Sequence, residues 1–170
     1  MKKINLMLSL LTIFAINSQA QSYQKTDLGI KAKINSNDIE IQFYGPSTVR
    51  VLKSPEGKTF TKESLSVIKK PQTIKIAINQ QGDVVSLKSD KLKVDVNMKS
   101  GKISYSTLAG EQLLSEKESG AIFTDFNDAG SKTYTINQSF RLDKDEAIYG
   151  LGQQQHGKMS QRNVKIKKVQ

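Results

Sequence analysis

Cysteine and tryptophan are absent from the 170 residues, histidine occurs once, and proline and arginine occur three times each. Without cysteine no disulfide can form, no thiolate can ligate zinc and no thiol can carry a lipid, so burial must hold the fold together. With His156 as the sole imidazole, a transition-metal site would rest largely on carboxylates, and neither a metal nor a cofactor is expected. Scarce arginine also bears on the formal net charge of +10, because only Arg50, Arg141 and Arg162 stand beside 23 lysines. Base and phosphate forks favour arginine. The lysines instead recur at alternating positions, as on a solvated sheet face, and nucleic acid is not expected as a partner.

Long apolar runs are missing too, apart from Ile4 to Ile16. Lys2 and Lys3 precede that run and Ser18-Gln19-Ala20 follows it, the pattern of a secretory signal peptide over residues 1–20. It is shorter than the roughly 20 apolar residues of an ordinary membrane helix, so no membrane attachment is expected after cleavage. The expected mature chain, 21–170, is exported to the periplasm or beyond and is long enough for one domain.

What is present is alternation with a period of two. Ile39, Ile41 and Phe43 alternate with Asp38, Glu40 and Gln42; Val49 and Val51 flank Arg50; Ile74, Ile76 and Ile78 flank Lys75 and Ala77. Leu92, Val94 and Val96, then Ile103 and Tyr105, continue the pattern. Gly45-Pro46, Asn79 to Asp83, Ser100-Gly101 and Ala109-Gly110 separate these runs as turn signals. Such strands, polar on one face, predict an all-β fold: an antiparallel β-sandwich almost free of helix. Ser22 to Asp27 reads as a flexible leader, Ser54 to Gln72 as a connection with a short helical turn around Lys62 to Val67, and Ser119 to Lys132 as a loop. Asn163 to Val169 reads as a strand without its partner, so the sandwich is expected to be incomplete with an open edge.

One stretch stands out for chemistry. Ile148 and Tyr149 read as a strand end running into Gly150 and Gly152, which permit a sharp turn and a close backbone approach. Gln153, Gln154, Gln155 and His156 follow, all neutral and able to donate and accept hydrogen bonds as sugar hydroxyls require, and Gly157 closes the run. A polar loop whose glycines serve only the turn reads equally well. Arg162 either pairs with a carboxylate elsewhere in a larger protein or lies on the surface. Asp143, Asp145 and Glu146 read as solvated turn acids, although glycoside hydrolysis commonly uses two carboxylates. Asp125, Asn127 and Gly130 imitate a calcium loop that fails at Ala129 and Ile136. Gly150 and Gly152 begin a dinucleotide motif that fails at Gln155.

Three segments, in order, resemble the N-terminal domain of family 31 glycoside hydrolases, which cut α-linked sugars. They are Ile39 to Gly57 (IEIQFYGPSTVRVLKSPEG), Leu92 to Ser115 (LKVDVNMKSGKISYSTLAGEQLLS), and Ile148 to Gly157 with Met159, Arg162 and Asn163. The resemblance implies a galactose-mutarotase-like sandwich over 21–170, with the catalytic barrel and its two aspartates, nucleophile and acid, outside this sequence. It further implies that Gln153, Gln154, Gln155, His156 and Arg162 help shape the pocket mouth, and that an α-linked oligosaccharide is met through the barrel. The chain by itself is then expected to be inactive, with an α-xylosidase or α-glucosidase as the parent enzyme. A free-standing carbohydrate-binding sandwich, or a structural piece without ligand, is the alternative.

Overall fold

The computed structural model describes residues 23–58, 64–150, 157 and 159–164. Among them there is no helix; ten strands form two antiparallel sheets. The first sheet is a meander of β1 (Tyr23–Thr26), β2 (Gly29–Ile34), β3 (Asn37–Gly45) and β4 (Thr48–Pro55). The second contains β5 (Ala77–Gln81), β6 (Val84–Lys88), β7 (Lys93–Asn97), β8 (Ile103–Ser106), β9 (Gln112–Asp128) and β10 (Ser131–Arg141), adjacent in chain order. Every strand pairs with its sequence neighbour, so short turns suffice to build each sheet.

Register explains the core. Ile30 lies opposite Ile41, Ala32 opposite Ile39, and Val51 and Val49 opposite Ile41 and Phe43, so one face of the first sheet is apolar. Val85, Leu87, Val94, Val96 and Ile103 form the facing surface of the second sheet. Phe43, Ile41, Leu87, Val94 and Ile103 are fully buried between them, and Ile30 nearly so. This burial supplies the main driving force in a chain without disulfides. The two-residue turn at Asn35 and Ser36 has positive φ at both positions, and the Asn35 side-chain amide donates to the Lys99 carbonyl at 3.1 Å. That contact joins a turn of the first sheet to a turn of the second.

Several expectations change. The segment read as a leader, Ser22 to Asp27, contains β1, because Tyr23 is buried in the core and Gln24 to Thr26 pair with β2. The expected loop from Ser119 to Lys132 is the far half of a long hairpin, closed by a tight turn at Ala129-Gly130 with positive φ at both residues. Ile74 and Ile76 pack on the core but lie outside the ladder, and Asn79 to Gln81 belong to β5 rather than to the turn. Leu65-Ser66 is a bend and residues 64–67 are not helical; 62 and 63 lie outside the described residues. Ile148 and Tyr149 are not in a strand. Of the expected last strand, Asn163 lies in a turn and 165–169 are outside the described residues.

Truncating the largest of these fully buried side chains tests the core. Phe43→Ala is expected to cost about 3–5 kcal/mol, read as a lower urea midpoint with an unchanged slope.

Candidate functional site

The second sheet is wider than the first, and its last two strands do not stay flat. Along β9 and β10 the register jumps from Gln138 opposite Ala121 to Phe140 opposite Glu116, so 117–120 bulge out against Ser139 alone. A bulge bends the strand that carries it. Beyond it, β9 and β10 form an arm that meets the first sheet mainly at its root. The sequence supplies the bend through Gly120, whose φ is +57°. A Cβ there would sit 2.8 Å from Lys53 Nζ and 3.0 Å from the Gly101 carbonyl, so any side chain would press into the root.

At that root lies a buried ion pair. Lys53 of β4 faces the core side, because it pairs with Ile39, and its Nζ donates to both carboxylate oxygens of Glu116 at 2.7 and 2.6 Å. Only 8% of the Lys53 side chain and 4% of the Glu116 side chain is exposed. The Glu116 carboxylate also accepts the Ile103 backbone N–H and the Gln138 amide, each at 2.8 Å. Four donor contacts leave it no spare lone pair directed at a substrate, so its chemistry is structural. Tyr105 feels the same environment: burial, then the negative charge of Glu116, pushes its phenol up to about 12.

Above the root a cleft of about 1210 Å³ opens between the arm and the first sheet. Phe123 and Tyr134 of the arm line it as an edge-to-face pair, ring centres 6.3 Å apart and planes at 88°. The first sheet lines the opposite side with residues of both faces, Lys31, Lys33, Glu40 and Leu52 of the outward row and Tyr23, Ala32, Ile39 and Val51 of the core-facing row. Lys31 pairs with Glu40 at 3.3 Å and Lys33 with Glu56 at 3.0 Å, so these charges cancel locally.

The residues singled out from sequence lie elsewhere. Gly150 and Gly157 adopt positive φ, +86° and +72°, with open space where a Cβ would project, as expected of turn glycines. Gly152, Gln153, Gln154, Gln155 and His156 fall outside the described residues. Arg162 donates through Nη1 to the carbonyls of Asp143 and Glu146 at 2.8 and 2.5 Å, pinning the exposed acidic turn. The Gln161 N–H donates to the Ile148 carbonyl at 2.7 Å, which folds 159–164 back on 143–148. Sequence reasoning missed Lys53, Glu116 and Gly120 because 63 residues separate the ion pair and Glu116 stands in the polar run Ser115 to Ser119. The glycine that ends this run was the one available signal.

The family model described as the glycosyl hydrolase 31 N-terminal galactose mutarotase-like domain matches residues 38–167. An alpha-xylosidase from Saccharolobus solfataricus is 30% identical over 132 residues, 74% of this chain and 17% of that protein. Among solved structures, a GH31 alpha-xylosidase from Xanthomonas citri superposes with a TM-score of 0.73 at 28% identity, over 81% of this chain and 15% of that one. A GH31 dextranase from Flavobacterium johnsoniae, complexed with glucose, shares the fold with a TM-score of 0.64 at 20% identity, over 83% and 17%. This chain thus spans less than a fifth of the length of each.

Two outcomes are expected from the root. Lys53→Met, which strands a buried carboxylate, should cost about 3–5 kcal/mol in urea unfolding, and Lys53→Met with Glu116→Gln should recover part of that loss in a double-mutant cycle. Tyr105 ionises later in the folded than in the unfolded chain, so the unfolded state loses its proton first as pH rises. Stability should fall between about pH 10 and 12, and Tyr105→Phe should flatten that fall in pH-dependent urea titrations.

Proposed function

The chain belongs to the family of glycosyl hydrolase 31 N-terminal galactose mutarotase-like domains, and from that premise we propose that it is the supporting sandwich of an exported α-xylosidase-type glycosidase. In this reading bond cleavage belongs to a catalytic barrel elsewhere in the enzyme, where one carboxylate attacks the anomeric carbon and a second protonates the leaving oxygen. The sandwich contributes no bond-breaking group. It holds a shaped surface against the barrel and, through the segment around Gly150 to Arg162, borders the mouth of the pocket. Export rests on the amino-terminal signal pattern.

One observation carries this reading. Large apolar side chains stand exposed on the arm and on the segment after it: Ile122 and Phe126 on the arm face turned from the cleft, then Phe140, Tyr149 and Met159. Exposed apolar side chains that adjoin one another mark surfaces that another body covers. Many such side chains lie in the carboxy-terminal third, next to the segment from which the chain would enter a barrel, although Leu65 and Ile68 after β4 are more exposed still. The acids of the same region support it too, since the Asp143 to Glu146 turn is exposed and Glu116 is already saturated.

The test pairs the chain with a separately produced barrel from a GH31 α-xylosidase of this type. Hydrolysis of a nitrophenyl α-xyloside is expected from the mixture or fusion and not from the chain alone, with Phe126 and Tyr149 gaining hydrogen-exchange protection in the assembly. Turnover by the purified chain by itself would overturn the proposal.

A further inference from the structure

We propose that the cleft beneath the β9–β10 arm is a groove for an extended, uncharged oligosaccharide. This rests on the glycosidase reading for its ligand class and goes beyond it in assigning a site to this chain's own residues.

Size is the first argument. At about 1210 Å³ the cleft exceeds the roughly 300–1,000 Å³ of ordinary small-molecule pockets, which suits several linked rings better than one. Its two sides differ in chemistry. The arm presents Phe123, Tyr134 and Ile136 on one face, since Phe123 lies opposite Ile136 and Tyr134 opposite Asp125 in the same ladder. Aromatic rings held edge to face offer flat apolar surface with a phenol at the rim, matching the C–H face and the hydroxyls of a pyranose. The sheet presents apolar Tyr23, Ile39 and Leu52 among charges that balance: Lys31 pairs with Glu40, Lys33 with Glu56 and Lys53 with Glu116, and Asp38 and Lys58 add one of each sign. A charged ligand would find no net opposite charge there, whereas hydroxyls find both donors and acceptors.

The backbone argues against an extended peptide as the occupant. Peptides commonly add to a free sheet edge through main-chain hydrogen bonds. Part of the floor is the face of β2 and β3, whose main-chain groups are already paired on both sides, whereas β4, which adds Val51 to Pro55, is an edge strand. Over β2 and β3 affinity must come from side chains, as it does for sugars. The groove is also preorganised: the Lys53–Glu116 pair and the Gly120 bend fix the arm at its root, which lowers the ordering cost of binding.

The experiment is calorimetric titration of the full chain with xyloglucan fragments and malto-oligosaccharides, with oligogalacturonide as the charged comparator. The neutral sugars are expected to bind more tightly than the charged one. Tyr134→Ala and Phe123→Ala should weaken binding by about tenfold or more, roughly 1.4 kcal/mol, while Phe126→Ala on the opposite face of the arm leaves it unchanged. Circular dichroism establishes that each variant is folded, and Tyr134→Phe, which keeps the ring, should retain most of the affinity. Absence of binding by the folded chain, tighter binding of the oligogalacturonide, or equal loss in Phe126→Ala would overturn the proposal. Barrel complementation is read separately: it survives if only the groove is wrong, and fails while sugar still binds if only the supporting role is wrong.

Discussion

A single buried ion pair sets the geometry of everything beyond the core. Lys53 and Glu116 are withdrawn from water, which is costly, and the cost is offset only because the carboxylate also receives the Ile103 N–H and the Gln138 amide. The partners come from β4, β8, β9 and β10, so the network ties the edge of one sheet to three strands of the other. Just past this fixed carboxylate β9 releases its pairing at 117–120, and Gly120 at positive φ lets the backbone pass close to Lys53 and the Gly101 carbonyl. The bend, the arm and the cleft follow from that constraint. Hydrophobic burial makes the sandwich, but it is indifferent to direction; the ion pair chooses where the hairpin leaves it.

Legibility in the sequence followed burial. β3, β7 and β8 could be read because each packs one face on the core and turns the other to solvent, and so writes a period of two in its residues. β1 escaped notice since its four residues bury Tyr23 alone, too few for a period to show. The arm escaped for the opposite reason: with most of both faces exposed, nothing forces alternation, and its aspartates and glycines resemble loop composition. Ile74 to Ile78 shows the converse error, where alternation signalled contact with the core correctly but strand pairing begins only at Ala77. Periodicity reports burial, not hydrogen bonding.

The candidate site divides along the same line. Gly150 and Gly157 were legible as turn residues because their conformational demand is local and carried by residue type. Arg162 was legible as a residue with two possible roles, and it binds backbone carbonyls of the nearby acidic turn, a contact within 19 residues. The cleft could not be read at all, since it arises where a bent hairpin stands over a sheet far away in sequence. Its lining joins residues from the first and last thirds of the described chain, and no local pattern encodes such a meeting.

The distribution of acids then separates scaffold from catalyst more firmly than the fold does. Glycosidic cleavage needs one carboxyl able to give a proton and a second free to attack or to activate water, at a spacing set by the sugar ring. Glu116 is buried, yet its oxygens are committed to four donor contacts. Asp143 and Glu146 are open to solvent, yet they lie on an exposed turn where Glu146 accepts the Asp143 N–H at 3.0 Å and Arg162 tethers the carbonyls. Burial and freedom are thus held by different acids in different places. A fold shared among an alpha-xylosidase and a dextranase settles no chemistry by itself; the separation of burial from freedom among these acids is what the proposed supporting role requires of them.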